Sequence, residues 1–178
     1  MGSDEIGAVL DRFFAAIEAG DLATVDELLA DEVGVWHSVT GDTADKATTL
    51  AILRWLTRPG VTVRYEPQEQ LMAGTRVARR HLLHVGVDGH EPLALPVSIY
   101  LTVEGGRITG VDEYTDRRDT DELIAVVRRG QAGNGPGGVV SGKSRWWCDP
   151  VTSKIAEPTR PSSVRTAIWL SPPRWNGS

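Results

Sequence analysis

The sequence predicts an α+β domain, with helices gathered on one side of a curved antiparallel sheet, followed by a tail of different character. Up to about residue 56 the apolar residues mostly recur at helical spacing, and from Val61 the period changes to two through four successive runs. After Gly130 neither period continues, so the domain is placed at 1–129 and the tail at 130–178.

The first helix opens at Ser3, a residue type that caps orphan N–H groups, with Asp4 and Glu5 favouring the positive helix end. Ile6, Val9, Leu10, Phe13, Phe14 and Ile17 form its apolar stripe, and Gly20 stops it. Asp21 caps a shorter helix carrying Leu22, Val25, Leu28 and Leu29. Val33 to Val39 is β-rich and ends at the turn Thr40-Gly41-Asp42. A third helix covers roughly Thr43 to Leu56 and stops before Pro59-Gly60. Four strands follow, at roughly Val61 to Leu71, Val77 to Val87, Leu93 to Val103 and Ile108 to Asp116, joined by glycine-bearing turns. Asp119 or Thr120 opens a last helix with Leu123, Ile124, Val126 and Val127. The tail is rich in Gly, Pro, Ser, Arg and Trp, which reads as a disordered or loosely attached segment.

Composition narrows the function classes. The net charge is -5, and no cluster of Lys and Arg meets an aromatic stripe in the domain, so a nucleic-acid partner is not expected. The apolar runs are far short of the roughly 20 residues of a membrane span, and the N-terminus is acidic where a signal peptide would be basic; a cytoplasmic protein without a membrane partner is expected. The single Cys148 lies in the tail, and the histidines lack the short spacing of a metal site, so neither a metal nor another cofactor is expected.

In a half-buried sheet, alternate residues share a face, so polar residues on the apolar face are the ones that call for a role. Leu95, Val97, Ile99 and Leu101 form such a face on one strand; Glu113 is in phase with Val111 and Thr115 on the next, and His37 with Val35 on the first. On the strand from Val77, Arg80, Leu82 and His84 share one side, leaving His81 on the surface side. Converging, these faces predict an apolar pocket for a small hydrophobic molecule, lined by Val35, Leu82, His84, Leu95, Val97, Ile99, Leu101 and Thr115, with Glu113, Arg80 and His37 as its polar corner. Trp36 and Trp55 are expected between helix and sheet.

The run Gly106-Arg107-Ile108-Thr109-Gly110-Val111-Asp112-Glu113-Tyr114-Thr115-Asp116 resembles the final-strand motif of the limonene-epoxide-hydrolase branch of the SnoaL-like, NTF2-like superfamily, and the order of elements agrees over about residues 4–128. The resemblance implies a cone-shaped fold, a homodimer, and Glu113 as the water-activating carboxylate. Counted without a gap, it puts Arg80 at the bridging arginine and His37 at a water-holding asparagine. Leu82 falls where that branch has a second, proton-donating carboxylate, and Val35 where it has a tyrosine. The related ketosteroid isomerases and polyketide cyclases move a proton beside a carbonyl with one carboxylate. Epoxide hydrolysis and proton transfer thus both stand as cofactor-independent activities, beside a non-catalytic binding or dimerisation module.

Overall fold

A computed structural model describes residues 2–132, so the expected tail, apart from its first three residues, lies outside the described residues. Helix α1 (Ser3–Ala19) buries Ile6, Leu10, Phe13, Phe14, Ala16 and Ile17. Its cap is Gly2, one residue before the expected Ser3: the Gly2 N–H donates to Glu5 Oε2 at 2.7 Å, so a carboxylate meets the helix start. Gly20 ends it at φ 68, a left-handed conformation that disfavours any residue with a Cβ. Helix α2 (Leu22–Leu28) starts as expected on Asp21, whose side chain accepts from the Thr24 N–H at 3.1 Å.

Strand β1 (Leu29–His37) follows α2 directly, so it starts and ends earlier than the sequence suggested. A two-residue strand, β2 (Thr43–Ala44), pairs back onto Val35 and Trp36. Helix α3 (Lys46–Leu56) therefore begins after Asp45, which accepts from the Thr48 N–H at 2.8 Å. The meander comprises β3 (Val61–Ala73), β4 (Arg76–Val87), β5 (Leu93–Glu104) and β6 (Arg107–Tyr114), and α4 (Arg117–Ala132) closes the described chain.

The strand order is β2-β1-β6-β5-β4-β3. All neighbours are antiparallel except β1 and β6, which run parallel. That departs from a purely antiparallel sheet, because β1 lies beside a strand distant in sequence and no hairpin fixes its direction. Register shifts at Pro67/Glu69 between β3 and β4, and at Thr102/Val103 between β5 and β6, are bulges of the kind that bend a sheet. The inner face thus curves under the helices, and one core joins Leu10, Phe14, Val25, Val63, Leu101, Val103, Ile108 and Val127. No helix among the described residues is long and apolar enough to cross a membrane.

This packing makes a contrast measurable by urea denaturation. Leu101 is 1% exposed, and Leu101→Ala should cost about 2 to 5 kcal/mol by transfer and cavity formation. Leu71, at 64% exposed, should change stability by less than about 0.5 kcal/mol when replaced by alanine.

Candidate active site

Residues directly opposed on neighbouring strands share a face. Gln70 opposes Arg79, Arg79 opposes Ile99, Ile99 opposes Glu113, and Glu113 lies beside His37 on parallel β1. One row of side chains therefore crosses the inner face over five strands. The next row toward the bulge is apolar, with Val77, Leu101, Val111 and Val35. On the other side His81 opposes Val97. With a strand spacing of about 4.8 Å, the Arg79 and Glu113 backbones stand about 10 Å apart with Ile99 between them.

The Glu113 end is partly open. Its side chain is 37% exposed and that of His37 25%, with His37 Nδ1 3.5 Å from Glu113 Oε1. Ser38 fixes this corner: its N–H donates to the Glu113 carbonyl at 2.9 Å, and its hydroxyl accepts from the Thr115 N–H at 3.1 Å. Thr115 then bonds through its own hydroxyl to Thr120 of α4 at 3.1 Å. Val35, Leu95, Val97, Ile99 and Leu101 are buried in the core beside this row.

Strand β4 departs from its expected phase. Arg80, Leu82 and His84 oppose Ser98, Pro96 and Ala94 on the outer face. Arg80 is solvent-exposed and reaches Glu69 at 3.7 Å rather than Glu113, and His84 Nε2 lies 3.0 Å from Glu66 Oε2. Facing inward instead are Val77, Arg79, His81, Leu83 and Val85. His81, expected at the surface, is 2% exposed, and Arg79 is 7% exposed. The sequence Arg79-Arg80-His81-Leu82-Leu83-His84 puts charge and apolar bulk on both faces, so this segment alone does not fix the phase. Val77, Val85 and Val87 do, and all three are buried. The inward arginine is therefore Arg79 rather than the expected Arg80, and the inward residue two places on is His81 rather than Leu82. Trp36 is likewise on the outer face, its ring 5.3 Å from that of Tyr114, whereas Trp55 packs against the core.

Phe14 of α1 gathers the inward polar groups of β3 and β4. Its ring centroid lies 4.8 Å from that of Tyr65 and 5.7 Å from that of His81, and the Arg79 guanidinium carbon sits 3.9 Å from it. Tyr65 and His81 are themselves 5.1 Å apart. Burial pushes the Tyr65 hydroxyl up, reinforced by the charges of Glu113 and Glu18, so it remains a proton donor. Burial also drives His81 down to about 4, with the Arg79 charge adding to the fall and the Glu113 carboxylate opposing it. His81 is thus a neutral imidazole at neutral pH. Among the described residues, His37 Nε2, Arg79 Nε and His81 Nδ1 are buried without a hydrogen-bond partner. An unmet buried polar group costs about 1 to 3 kcal/mol, so three on one face mark a place that a ligand can complete. Among the described residues no three His, Cys, Asp or Glu side chains are grouped to hold a metal ion.

The model of the SnoaL-like domain matches residues 10–111, more than half of the chain. The chain belongs to the SnoaL-like domain family. Solved structures share the fold. An epoxide hydrolase of M. tuberculosis described as LEH-like is 21% identical, with TM-score 0.57, covering 73% of this chain and 94% of that one. IdmH from Streptomyces antibioticus, put forward as a polyketide cyclase, is 19% identical at TM-score 0.56, covering 68% and 99%. A Catenulispora acidiphila protein with a ketosteroid-isomerase-like fold, in complex with trimethylamine, is 17% identical at TM-score 0.55, covering 67% and 92%. No curated protein matches the chain.

The buried histidine of this SnoaL-like domain sets a pH dependence. Folded, His81 stays neutral down to about pH 4, whereas the unfolded chain binds a proton near its ordinary value of 6.5. Its contribution is therefore complete above pH 6.5 and is lost as pH falls toward 4. Urea midpoints measured across that window should fall for the wild type, and fall less steeply for His81→Phe.

Proposed function

We propose that this SnoaL-like domain is a cofactor-independent enzyme that moves a proton at a carbon beside a carbonyl in a small hydrophobic substrate. The observation that carries this reading is the combination of a half-open carboxylate, Glu113, with a buried neutral imidazole, His81, on one apolar face. Glu113 would take the proton from the carbon, and the C–H electron pair would move into the enolate. His81 and the Tyr65 hydroxyl would donate hydrogen bonds to the enolate oxygen. Glu113 would then return the proton at another carbon, which isomerises the substrate, or the enolate carbon would attack a second carbonyl, which closes a ring as Glu113 returns the proton to the new alkoxide oxygen. Neutral donors suit this role because they stabilise a developing charge without exchanging their own proton, as in the isomerases that pair a carboxylate base with a neutral electrophile.

Epoxide hydrolysis is the second reading, favoured by the contact of His37 with Glu113, a pair able to hold and activate one water. It needs a proton delivered to the departing oxygen. His81, held neutral by burial, meets that need less well than the demand for an oxyanion donor. The names of the related structures, an epoxide hydrolase and a proposed cyclase, support an enzyme of one of these two kinds. A dimer through the outer face of the sheet accords with the aromatic row of Trp36, Tyr114 and Tyr100, the last two exposed.

Exchange of solvent deuterium into enones and diketones, followed by NMR alongside turnover of terpene epoxides, separates the readings. Wild type should exchange the carbonyl compounds, Glu113→Gln should lose about 10²-fold or more of that rate, and His81→Phe about 10²- to 10³-fold in kcat. Exchange that persists in Glu113→Gln would remove Glu113 from the mechanism, and epoxide turnover without exchange would establish the second reading. For the dimer, Tyr100→Asp should convert the species seen by sedimentation to a monomer.

A further inference from the structure

Proton transfer leaves one inner-face group unused. Arg79 is 7% exposed and carries a permanent positive charge. Among the described residues it forms no ion pair: the contacts between carboxylates and cations involve other side chains. Its guanidinium lies over the Phe14 ring and, among the described residues, hydrogen-bonds one side-chain oxygen, Gln70 Oε1, at 3.4 Å. The acids whose charges reach it, Asp11 and Glu18, are exposed residues of α1. A buried cation held by a ring face and a neutral amide is incomplete without an anion, and a planar fork of N–H donors matches a carboxylate best.

We infer that the substrate is an oxo acid, whose carboxylate binds Arg79 while its reacting carbonyl lies between His81 and Glu113. Two orphaned nitrogens, Arg79 Nε and His81 Nδ1, sit on successive inward positions of β4. Those positions are about 7 Å apart along a strand, which fits a carboxylate and a carbonyl separated by a few bonds. Val97 and Ile99, opposite His81 and Arg79, provide the wall for the apolar body of such a molecule. This inference deepens the proton-transfer reading and rests on it for the place of the carbonyl. The carboxylate at Arg79 stands on geometry alone.

Binding tests it without turnover. Naphthoate and its neutral counterpart acetylnaphthalene are titrated calorimetrically into the full chain at neutral pH. Wild type should bind naphthoate at least about tenfold more tightly, a difference of about 1.4 kcal/mol. Arg79→Met should abolish that preference by weakening naphthoate alone, Arg79→Lys should retain part of it, and Glu113→Gln should tighten naphthoate by removing a like charge. Equal binding of the two probes by wild type, no binding of naphthoate at millimolar concentration, or equal loss of both in Arg79→Met would overturn the inference. If Arg79→Met fails to fold, the wild-type comparison and Arg79→Lys still decide. Wild type that exchanges ketone protons but binds both probes equally would lose the carboxylate site and keep the proton-transfer reading; preference for naphthoate without exchange would do the reverse.

Discussion

Phe14 is the contact on which the inner face depends. It is placed by the helical stripe of α1, and its ring lies against Tyr65 of β3 and both Arg79 and His81 of β4. An aromatic face is one of few apolar surfaces that tolerates a guanidinium, because the ring quadrupole offsets part of the lost hydration. The same ring helps to bury the imidazole, and that burial, with the Arg79 charge beside it, keeps His81 neutral. One side chain from the first helix thereby contacts groups that a strand 65 to 67 residues later presents. Glu18, one helical turn further along α1, accepts from the Tyr65 N–H and holds the edge strand in place beneath it. The helix is thus as much a part of the site as the sheet.

Much of this was legible in the sequence, for reasons that differ by element. The stripe of α1, the cap at Asp21 and the four strands of the meander follow from periodicity and local chemistry, and the structure has them close to where the residues suggest. The parallel pairing of β1 with β6 was not legible, since a period of two fixes faces and says nothing about direction. Nor was β2, because two residues are too few to show any period.

The site divides in the same way. On β5 and β6 one face is clearly apolar, so the phase of Val97, Ile99 and Glu113 could be read directly. On β4 the central six residues carry charge on both faces, and the family resemblance, counted without a gap, points to Arg80 and Leu82. In a strand, a shift of one residue exchanges every inward group for an outward one. Weighting the valines at the ends of the strand over the charges in its middle would have selected Arg79 and His81. Burial shows at the ends of this strand, where Val77, Val85 and Val87 are buried, and not in its centre, where charge lies on both faces.

The spacing of charge across the sheet explains why such a centre can exist. Arg79 and Glu113 lie in one row, yet Ile99 stands between them, and their strands are two spacings apart. As immediate neighbours they would form a closed ion pair, and neither would be free for a ligand. Kept apart by an apolar residue, the cation and the carboxylate each remain incompletely satisfied, and the face between them is apolar. A molecule with a negative end and a weakly acidic C–H bond, as proposed, would satisfy both at once. The two charges would then orient it rather than cancel, and the isoleucine that separates them would specify the proposed site as much as the groups on either side.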